Sequence, residues 1–267
     1  MIREALDSAT DALQAMGIED PRLDAEVLLA EATGLERAVL VTSPDRELEP
    51  PASRLFGEMV RRRLRREPVA YIIGRRGFRR IELKVDRRVL IPRPETELLV
   101  ELAIERRPLT LLDIGTGSGA IALAVADELP DCEIKATDTS GDALEAARSN
   151  AYRLGLEERV HFVPGTVPVE EDYEVILANL PYVAEREWDS LQPEVTEWEP
   201  REALLAGADG LDAIRALIPR IEVGLLALEV GEGQAEAVRG LLADAGFGAI
   251  ETRRDLAGIE RVVMGER

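Results

Sequence analysis

The sequence predicts an α/β protein in which a parallel sheet carries helices on both faces and is preceded by a small helical domain. From Leu109 onward, short apolar runs alternate with amphipathic helical patterns, which is typical of parallel strands connected by helices. Before about residue 67, apolar residues recur at helical spacing. A glycine-rich segment, Gly115–Gly119, follows the first apolar run, where a strand is expected to turn into a helix.

Residues 1–67 are predicted to form the helical domain. Their helical patterns are interrupted at Gly17, Asp20-Pro21, Gly34 and Pro50-Pro51, and such residues end one helix and begin the next. Residues 68–91 follow as a predicted hairpin linker, because their apolar residues recur mostly at every second position. These residues are Phe78, Ile81, Leu83, Val85 and Val89.

Residues 92–267 are predicted to form the α/β domain. Pro92 and Pro94 introduce a helix over Glu95–Arg106, since proline is favoured at the start of a helix. Ligands of such sheets bind at the carboxyl ends of the strands, so functional residues are expected there. The predicted strands are Leu109–Ile114, Glu133–Thr137, Val160–Val163, Val175–Ala178, Gly224–Val230, Ala249–Arg253 and Glu260–Met264.

The glycine loop after the first strand is a candidate cofactor site. Glycines let the backbone turn sharply and approach a ligand, and the helix that follows offers free N–H groups. An acid for ribose hydroxyls is expected about 20 residues further on, where the sequence has Asp138. The candidate cofactor-binding residues here are Asp113, Gly115, Thr116, Gly117, Ser118, Gly119, Asp138 and Thr139.

The tetrapeptide Asn179-Leu180-Pro181-Tyr182 directly follows the strand Val175–Ala178. The glycine loop also satisfies the nicotinamide-type fingerprint, with Ala120 in its last place, so the loop alone leaves a nicotinamide-dependent dehydrogenase open. An amide side chain beside an aromatic ring suits the binding of a planar NH2 group, for which hydride transfer has no evident use. We therefore predict that all four residues are catalytic and substrate-binding.

Several further segments complete a pattern that covers nearly the whole chain. They are Pro68–Gly74, Phe78, Val89–Val100, Glu199-Pro200 with Ala203-Leu204, Gly207 with Asp209–Asp212, Glu229 with Gly231 and Gln234, and Asp255–Gly258 with Arg261–Val263. The loop and the tetrapeptide resemble those of S-adenosylmethionine-dependent methyltransferases that act on amino and amide groups. The whole pattern resembles the peptide chain release factor N5-glutamine methyltransferases, the PrmC/HemK family.

This resemblance implies S-adenosylmethionine as cofactor and, as substrate, the glutamine in the Gly-Gly-Gln loop of class I release factors, met free or on the ribosome. It implies a Rossmann-like seven-stranded sheet, mostly parallel with the last strand antiparallel. The substrate amide would be held by the Asn179 side chain and the Leu180 carbonyl. Thr96 and Glu97 would cover the cofactor pocket, and Asp113 would either touch the amino acid end of the cofactor or brace the glycine loop.

Two positions depart from the family pattern. Leu180 stands where the family usually has proline, which keeps the backbone carbonyl but loosens φ. Asn-Leu-Pro-Tyr also occurs in rRNA adenine dimethyltransferases, so an rRNA adenine N6-methyltransferase is the alternative function. Near the adenine edge, where an acid is expected, the sequence has Gly165 and Thr166, so we expect that contact from the backbone or the Thr166 hydroxyl.

The charge of the chain argues against a nucleic acid substrate. The sequence has 33 Lys+Arg against 52 Asp+Glu, a formal net charge of −19, whereas nucleic acid binding rests mainly on cationic side chains. The basic run Arg61–Arg66 is predicted to form the solvated face of a helix. The alternative is a docking site for an acidic partner surface or for ribosomal RNA.

Composition also limits the location and the cofactors. A single cysteine, Cys132, and a single histidine, His161, predict neither a disulfide nor a metal site. Charged residues interrupt the apolar residues near the start of the chain, and no apolar stretch approaches the length of about 18 residues expected of a membrane helix. We therefore expect a cytoplasmic protein that does not bind a membrane.

Overall fold

A computed structural model describes residues 1–167, 172–222 and 224–267 of the protein. The chain divides into two compact units. The first comprises Met1–Gly74 and Gln192–Trp198, and the second comprises Arg75–Leu191 and Glu199–Arg267. The chain therefore leaves the second unit once and returns to it.

The first unit is helical, as the sequence predicts. Leu6, Ala9 and Leu13 are buried, as expected for one face of an amphipathic helix. They belong to an apolar cluster that also contains Leu28 and Phe56. The helices are α1 (Ile2–Ala15), α2 (Pro21–Thr33), α3 (Arg37–Thr42), α4 (Pro50–Leu64), α5 (Val69–Ile73) and a short helix, Pro193–Thr196.

The arginine run at the end of α4 is largely used inside this unit. Arg63 is buried, with Nε 2.7 Å from Asp24 Oδ2 and Nη1 2.7 Å from Glu194 Oε1. Arg66 binds the other carboxylate oxygen of Glu194 at 2.7 Å. Arg62 is likewise paired with carboxyl and backbone oxygens of the unit. These arginines therefore join segments that are far apart in the chain.

The predicted solvated face over Arg61–Arg66 is therefore wrong for three of its five arginines. Helical periodicity predicts which side of α4 is apolar. It cannot show that Asp24 and Glu194, from distant parts of the sequence, supply carboxylates to the same helix.

Replacing Arg63 by methionine is expected to lower the free energy of unfolding by about 3–5 kcal/mol, because two largely buried carboxylates lose their shared cation. Urea unfolding followed by circular dichroism measures this loss. The matched control is Arg61→Met, since Arg61 is exposed and its replacement should change stability by less than about 0.5 kcal/mol. Similar effects of the two substitutions would contradict a role for the Arg63 ion pairs.

A two-stranded hairpin opens the second unit. The strands β1 (Arg75–Phe78) and β2 (Ile81–Lys84) pair antiparallel. The hairpin begins later than residue 68, because Val69–Ile73 form α5, which ends at Gly74 with a φ of 77°. Alternation of apolar residues also starts only at Phe78. The sequence pattern therefore indicated the strands but not the helix before them.

The second unit contains a seven-stranded sheet within the described residues. Its strand order is β5-β4-β3-β6-β7-β9-β8. The five strands β3 to β7 run parallel to their neighbours among themselves, and β9 is antiparallel to β7 and β8. This confirms the mostly parallel sheet with an antiparallel last strand. The strands are β3 (Thr110–Ile114), β4 (Glu133–Asp138), β5 (Val160–Pro164), β6 (Val175–Ala178), β7 (Leu225–Glu229), β8 (Gly248–Arg254) and β9 (Glu260–Glu266).

Helices cover both faces of this sheet. In β3, Leu111 belongs to one apolar cluster and Leu112 to another, which explains why the strands read as continuous apolar runs. In the part of the chain that the structure describes, every helix lacks the length or the apolar character needed to cross a bilayer. The main helices of this unit are α6 (Glu97–Arg106), α7 (Ala120–Glu128), α8 (Gly141–Leu154), Asp212–Leu217 and Ala235–Asp244, with a 3₁₀ turn at Pro94–Thr96.

The order of the strands decides where the predicted site residues meet. Because β3 lies between β4 and β6, Gly115, Asp138 and Asn179 come together at the carboxyl edge of the sheet. The next strand, β7, ends at Glu229. The strand that follows β3 in the chain, β4, lies on one side of it, and β6 lies on the other. Open α/β sheets bind ligands at such a point, where the strand order reverses direction.

Candidate active site

The glycine loop lies against the tetrapeptide. Gly115 N and Thr116 N donate to Thr137 O at 2.8 and 2.9 Å, which ties the loop to β4. Gly115 has a φ of 76°, and a Cβ there would lie 3.2 Å from Leu180 Cδ2. Glycine therefore serves both the left-handed backbone and the close approach. Two motifs that are far apart in the sequence thus form one surface.

Asp113, near the end of β3, stabilises this loop through hydrogen bonds. Its Oδ2 accepts hydrogen bonds from the Thr116 hydroxyl at 2.6 Å and from Ala122 N at 3.2 Å. Burial raises the pKa of Asp113 to about 7, and within the described residues no donor reaches Oδ1. Of the two roles expected for Asp113, these contacts match the bracing role.

Asp113→Asn is expected to become more stable relative to the wild type as the pH rises from about 4 to 7. The pKa of Asp113 in the fold, about 7, lies above the unfolded value of about 3.9. Its stability contribution is therefore complete below about pH 4 and is lost as the pH rises through 7. In calorimetry, the unfolding midpoint of Asp113→Asn minus that of the wild type should be several °C larger at pH 8 than at pH 4. A difference that does not vary with pH would show that Asp113 is not the titrating group.

Asp138 lies at the end of β4, beside the loop. Its Oδ2 accepts a hydrogen bond from Gly117 N at 2.9 Å and its Oδ1 one from Ser140 N at 2.8 Å. Each carboxylate oxygen has a further lone pair, which can accept a hydrogen bond from a ligand hydroxyl. Backbone donors thus orient the predicted ribose-binding acid beside the glycine loop.

A cleft opens where the loop, β4 and the tetrapeptide meet. At Gly117, φ is 55° and nothing lies within 4 Å of the position that a Cβ would take, so the backbone is open to a ligand there. The predicted site residues that line the cleft are Gly115, Gly117, Asp138, Thr139, Thr166, Asn179, Leu180 and Pro181. Others that line it, not predicted as site residues, include Arg88, Val89, Leu90, Ser140, Pro200 and Glu202.

Some predicted site residues do not line this cleft. Glu97 Oε1 accepts a hydrogen bond from Arg79 N at 3.0 Å, so its carboxyl is directed to the β1–β2 turn rather than to a cofactor. Thr116 and Ser118 are buried in the loop. The predicted residues outside the lining are Thr96, Glu97, Asp113, Thr116, Ser118, Gly119 and Tyr182.

Thr166, which was expected at the adenine edge, lines the cleft. Its hydroxyl accepts a hydrogen bond from the Arg220 guanidinium, so its own proton remains available for donation. The preceding Gly165 N donates to Asp138 O at 2.9 Å. This turn is therefore tied to the same strand end as the predicted ribose-binding acid.

The side chain of Asn179 is held from outside the cleft. Its Nδ2 donates to Thr96 Oγ1 at 3.0 Å, and Thr96 is only 3% exposed. Because the amide nitrogen is engaged there, Asn179 Oδ1 is the atom left to accept a hydrogen bond from a ligand. Thr96 thus joins the site through Asn179, and its predicted place over the cofactor stays a prediction.

A side-chain clasp fixes the backbone at Tyr182. Gln234 Nε2 donates to Tyr182 O at 2.8 Å, and Gln234 Oε1 accepts from Gly231 N at 2.8 Å. Burial raises the pKa of the Tyr182 phenol to about 12, so the phenol stays protonated at neutral pH. Tyr182 is therefore suited to packing rather than to proton abstraction.

Sequence reasoning assigned no role to two buried carboxyl groups near the site. Glu199, whose side chain is 1% exposed, accepts from Ile91 N at 3.1 Å and from the Arg93 guanidinium. Glu229 is 2% exposed at the end of β7. Both residues belong to the family pattern quoted above. Glu229 could have been predicted as a site residue, because an acid at the end of an apolar strand lies at the carboxyl edge of the sheet.

Comparison with known proteins identifies the class. Residues 94–195 match the methyltransferase small domain. The hMettl16 catalytic domain, solved with a MAT2A 3'UTR hairpin, shares the fold at a TM-score of 0.56 and 15% identity, over 69% of this chain and 74% of that chain. A methyltransferase from Pyrococcus furiosus does so at 0.51 and 17%, over 69% and 87%. The cleft fits a nucleoside cofactor, since Asp138 can accept hydrogen bonds from ribose hydroxyls beside the open backbone of Gly117. Fold and site define an S-adenosylmethionine-dependent methyltransferase.

Curated relatives narrow this class. The release factor glutamine methyltransferase of Caulobacter vibrioides is 40% identical over 274 residues, which cover 98% of this chain and 95% of the relative. Residues 4–74 match the PrmC N-terminal domain. The chain belongs to the release factor glutamine methyltransferase family. The relative from Coxiella burnetii is also 40% identical, over 100% of this chain and 99% of its own length. Family membership confirms the predicted methyl transfer and its cofactor, and rules out the hydride-transfer interpretation of the glycine loop.

Proposed function

We propose that this protein methylates the side-chain amide N5 of the glutamine in the Gly-Gly-Gln loop of class I peptide chain release factors. Its relatives from Caulobacter vibrioides and Coxiella burnetii are named release factor glutamine methyltransferases and match it at 40% identity. The structural observation that carries the proposal is the hydrogen bond from Asn179 Nδ2 to Thr96. It leaves an amide oxygen at the cleft to accept an N–H of the substrate.

Positioning carries the proposed reaction. An amide nitrogen is a poor nucleophile, because its lone pair is shared with the carbonyl group. When bound, S-adenosylmethionine supplies a sulfonium methyl group that a nitrogen can attack. Asn179 Oδ1 and the Leu180 carbonyl each accept one N–H of the glutamine amide, which holds the nitrogen in line. The same two dipoles stabilise the positive charge that develops on nitrogen.

The remaining residues of the tetrapeptide support this arrangement. Pro181 stiffens the turn, and the Tyr182 carbonyl, bound by Gln234 Nε2 at 2.8 Å, fixes the end of the tetrapeptide. Because the pKa of Tyr182 is raised to about 12, the phenol does not act as the base, and the amide proton passes to water after methyl transfer. Packing of the Leu180 side chain against the apolar cluster that contains Ile114 restricts the position at which the family usually has proline.

Cofactor binding falls to the residues around the glycine loop. Gly115, Gly117 and Thr139 offer backbone and hydroxyl groups to the cleft. Asp138 accepts the ribose hydroxyls, and Thr166 contacts the adenine edge. The other predicted loop residues, Asp113, Thr116, Ser118 and Gly119, keep the loop in its shape.

The proposed division of labour assigns docking of the release factor to the N-terminal helical residues up to Gly74, connection to the hairpin segment that follows and methyl transfer to residues 92–267. A protein loop needs a surface that receives the protein that carries it, and the helical unit is the proposed surface. The formal charge of −19 disfavours RNA as substrate. The reaction then takes place in the cytoplasm, with the release factor free or on the ribosome.

Methyl-labelled S-adenosylmethionine tests this function directly. The purified protein is incubated separately with a class I release factor, with its variant that has Asn in place of the loop Gln, and with ribosomal RNA, and mass spectrometry locates the label. We expect label on the loop glutamine and none on the variant. Label on RNA adenine, or on the release factor outside the Gly-Gly-Gln loop, would overturn the proposal.

A further inference from the structure

Asn150, on α8, is a buried amide that binds the backbone of two other segments. Its Oδ1 accepts a hydrogen bond from Lys84 N at 2.7 Å, and its Nδ2 donates to Lys84 O at 3.0 Å and to Ser118 O at 2.9 Å. The residue is 0% exposed, so bulk water cannot replace these partners. Asn150 therefore connects the last residue of β2 to the glycine loop.

The bond to Ser118 O extends the set of contacts that hold the glycine loop. Two carboxylates, from the ends of β3 and β4, hold Thr116 and Gly117. The Asn150 amide holds the next residue, Ser118. Consecutive residues of the loop are thus held from two strands and from α8.

Close packing brings α8 near this loop. Ala143, Ala147 and Asn150 lie on one face of the helix, since they are spaced by four and three residues. A Cβ at Gly119 would lie 3.3 Å from Ala147 Cβ, so two small residues allow the approach. Ala143 lines the cleft. The face of α8 that lines the cleft therefore also presents Asn150 to the loop.

The bonds to Lys84 act on a turn that lines the same cleft. Val89 N donates to Asp86 O at 3.1 Å, and Arg88 N donates to Asp86 Oδ1 at 3.0 Å. The turn after β2 is thus closed by its own hydrogen bonds, and its residues Arg88, Val89 and Leu90 line the cleft. Because this turn starts two residues after Lys84, the backbone of Lys84 determines where it begins.

We propose that Asn150 is a positioning residue for cofactor binding, which fixes the glycine loop and the Arg88–Leu90 segment relative to each other. Both segments line the cleft, and the inference rests on the proposed binding of S-adenosylmethionine there. If the two segments are held only part of the time, the apparent affinity for a ligand falls with the fraction of protein that is competent to bind it. Asn150 keeps that fraction high without touching the cofactor.

Calorimetric titration with S-adenosylmethionine tests this role without a release factor. Asn150→Asp keeps the shape of the side chain and the acceptor for Lys84 N, but an oxygen replaces the NH2 group, so neither carbonyl keeps its N–H donor. The Kd should rise about ten-fold, as when about one tenth of the protein is competent to bind. In methyl transfer, the KM for S-adenosylmethionine should rise likewise, whereas kcat at saturating cofactor should stay near that of the wild type.

Leu102→Ala is the control for a general loss of stability. Leu102 is buried in α6, away from the described lining of the cleft. The substitution should destabilise the fold through the cavity that it leaves and should not change the Kd. An unchanged Kd in Asn150→Asp, or an equal rise in both variants, would overturn the inference.

Nuclear magnetic resonance provides a measurement on the native Asn150 side chain, should the Asp variant fail to fold. The chain contains two asparagines, Asn150 and Asn179, so ¹⁵N-asparagine labelling gives two side-chain amide signals, and Asn179→Ala leaves that of Asn150. At about 100 times the Kd, S-adenosylmethionine should slow the exchange of the Asn150 amide protons with water about ten-fold or more, because it favours the arrangement in which this amide is bound. An exchange rate that saturating cofactor leaves unchanged would contradict the coupling.

Asp138→Asn separates this inference from the proposals on which it rests. If this variant binds S-adenosylmethionine as tightly as the wild type, the proposed placement of the cofactor is wrong, and the role of Asn150 fails with it. If Asp138→Asn binds weakly but Asn150→Asp binds normally, only the role of Asn150 is contradicted. A wild type that binds the cofactor but does not methylate the release factor glutamine would contradict the proposed function alone.

Discussion

Asn179→Ala is expected to lower turnover by about 10²–10³-fold while S-adenosylmethionine binds almost as tightly as to the wild type. Loss of one preorganised contact to the reacting group typically costs about 2.7–4 kcal/mol of barrier. The Asn179 side chain is anchored at Thr96, whereas Asp138 and the glycine loop are held by contacts of their own. Single-turnover kinetics measures the first effect, and isothermal calorimetry measures the second.

A companion variant separates the presence of an amide from its position. Asn179→Gln keeps the amide but extends the side chain by one methylene, which moves the acceptor by more than about 1 Å and should cost about 10²-fold. Equal losses of turnover and cofactor affinity in Asn179→Ala would contradict the proposed roles of the tetrapeptide and the glycine loop. Near-normal turnover of Asn179→Gln would show that the position of the acceptor is not decisive.

Gly210→Ala is expected to lower the free energy of unfolding by about 2–5 kcal/mol, because strain and overpacking add. Gly210 has a φ of 79°, and a Cβ there would lie 2.2 Å from Tyr182 O and 2.6 Å from Gln234 Nε2. The new methyl group would push the Tyr182 carbonyl away from Gln234. Activity should fall together with stability, since the tetrapeptide ends at this clasp.

Gly233→Ala isolates the contribution of the backbone. Gly233 has a φ of 81°, but nothing lies within 4 Å of its Cβ position. Its replacement should therefore cost only the strain of a left-handed residue, about 1–2 kcal/mol, and should leave turnover unchanged. Denaturant unfolding and turnover of both variants measure the difference. If the two variants lose equal stability, the close approach to Tyr182 does not limit the site.

Much of the fold could be predicted because its signals are local. The strand Val175–Ala178 was predicted with the bounds that the structure has, and Glu133–Thr137 is short by one residue. Strands that are buried on both faces must be continuous apolar runs, so they are visible without tertiary information. The carboxyl-edge position of Asn179 follows from the same reasoning, since it directly follows such a strand.

Contacts between distant residues could not be predicted in this way. Thr96 bonds to Asn179, 83 residues further along the chain. Glu97 bonds to the backbone of the hairpin turn. Arg63 and Arg66 share the carboxylate of Glu194. None of these partners is indicated by spacing, because each depends on how strands and helices are ordered in space.

The sequence by itself determined the α/β class, the family and the chemical groups at the carboxyl edge of the sheet. Periodicity, glycine placement and short motifs are patterns among residues that are close in the sequence. They can therefore be recognised without knowledge of the tertiary structure. Only the tertiary structure decided which side chain holds the Asn179 amide. Its Nδ2 donates to the buried Thr96 hydroxyl, 83 residues earlier in the chain, and this contact depends on how the segments are ordered in space.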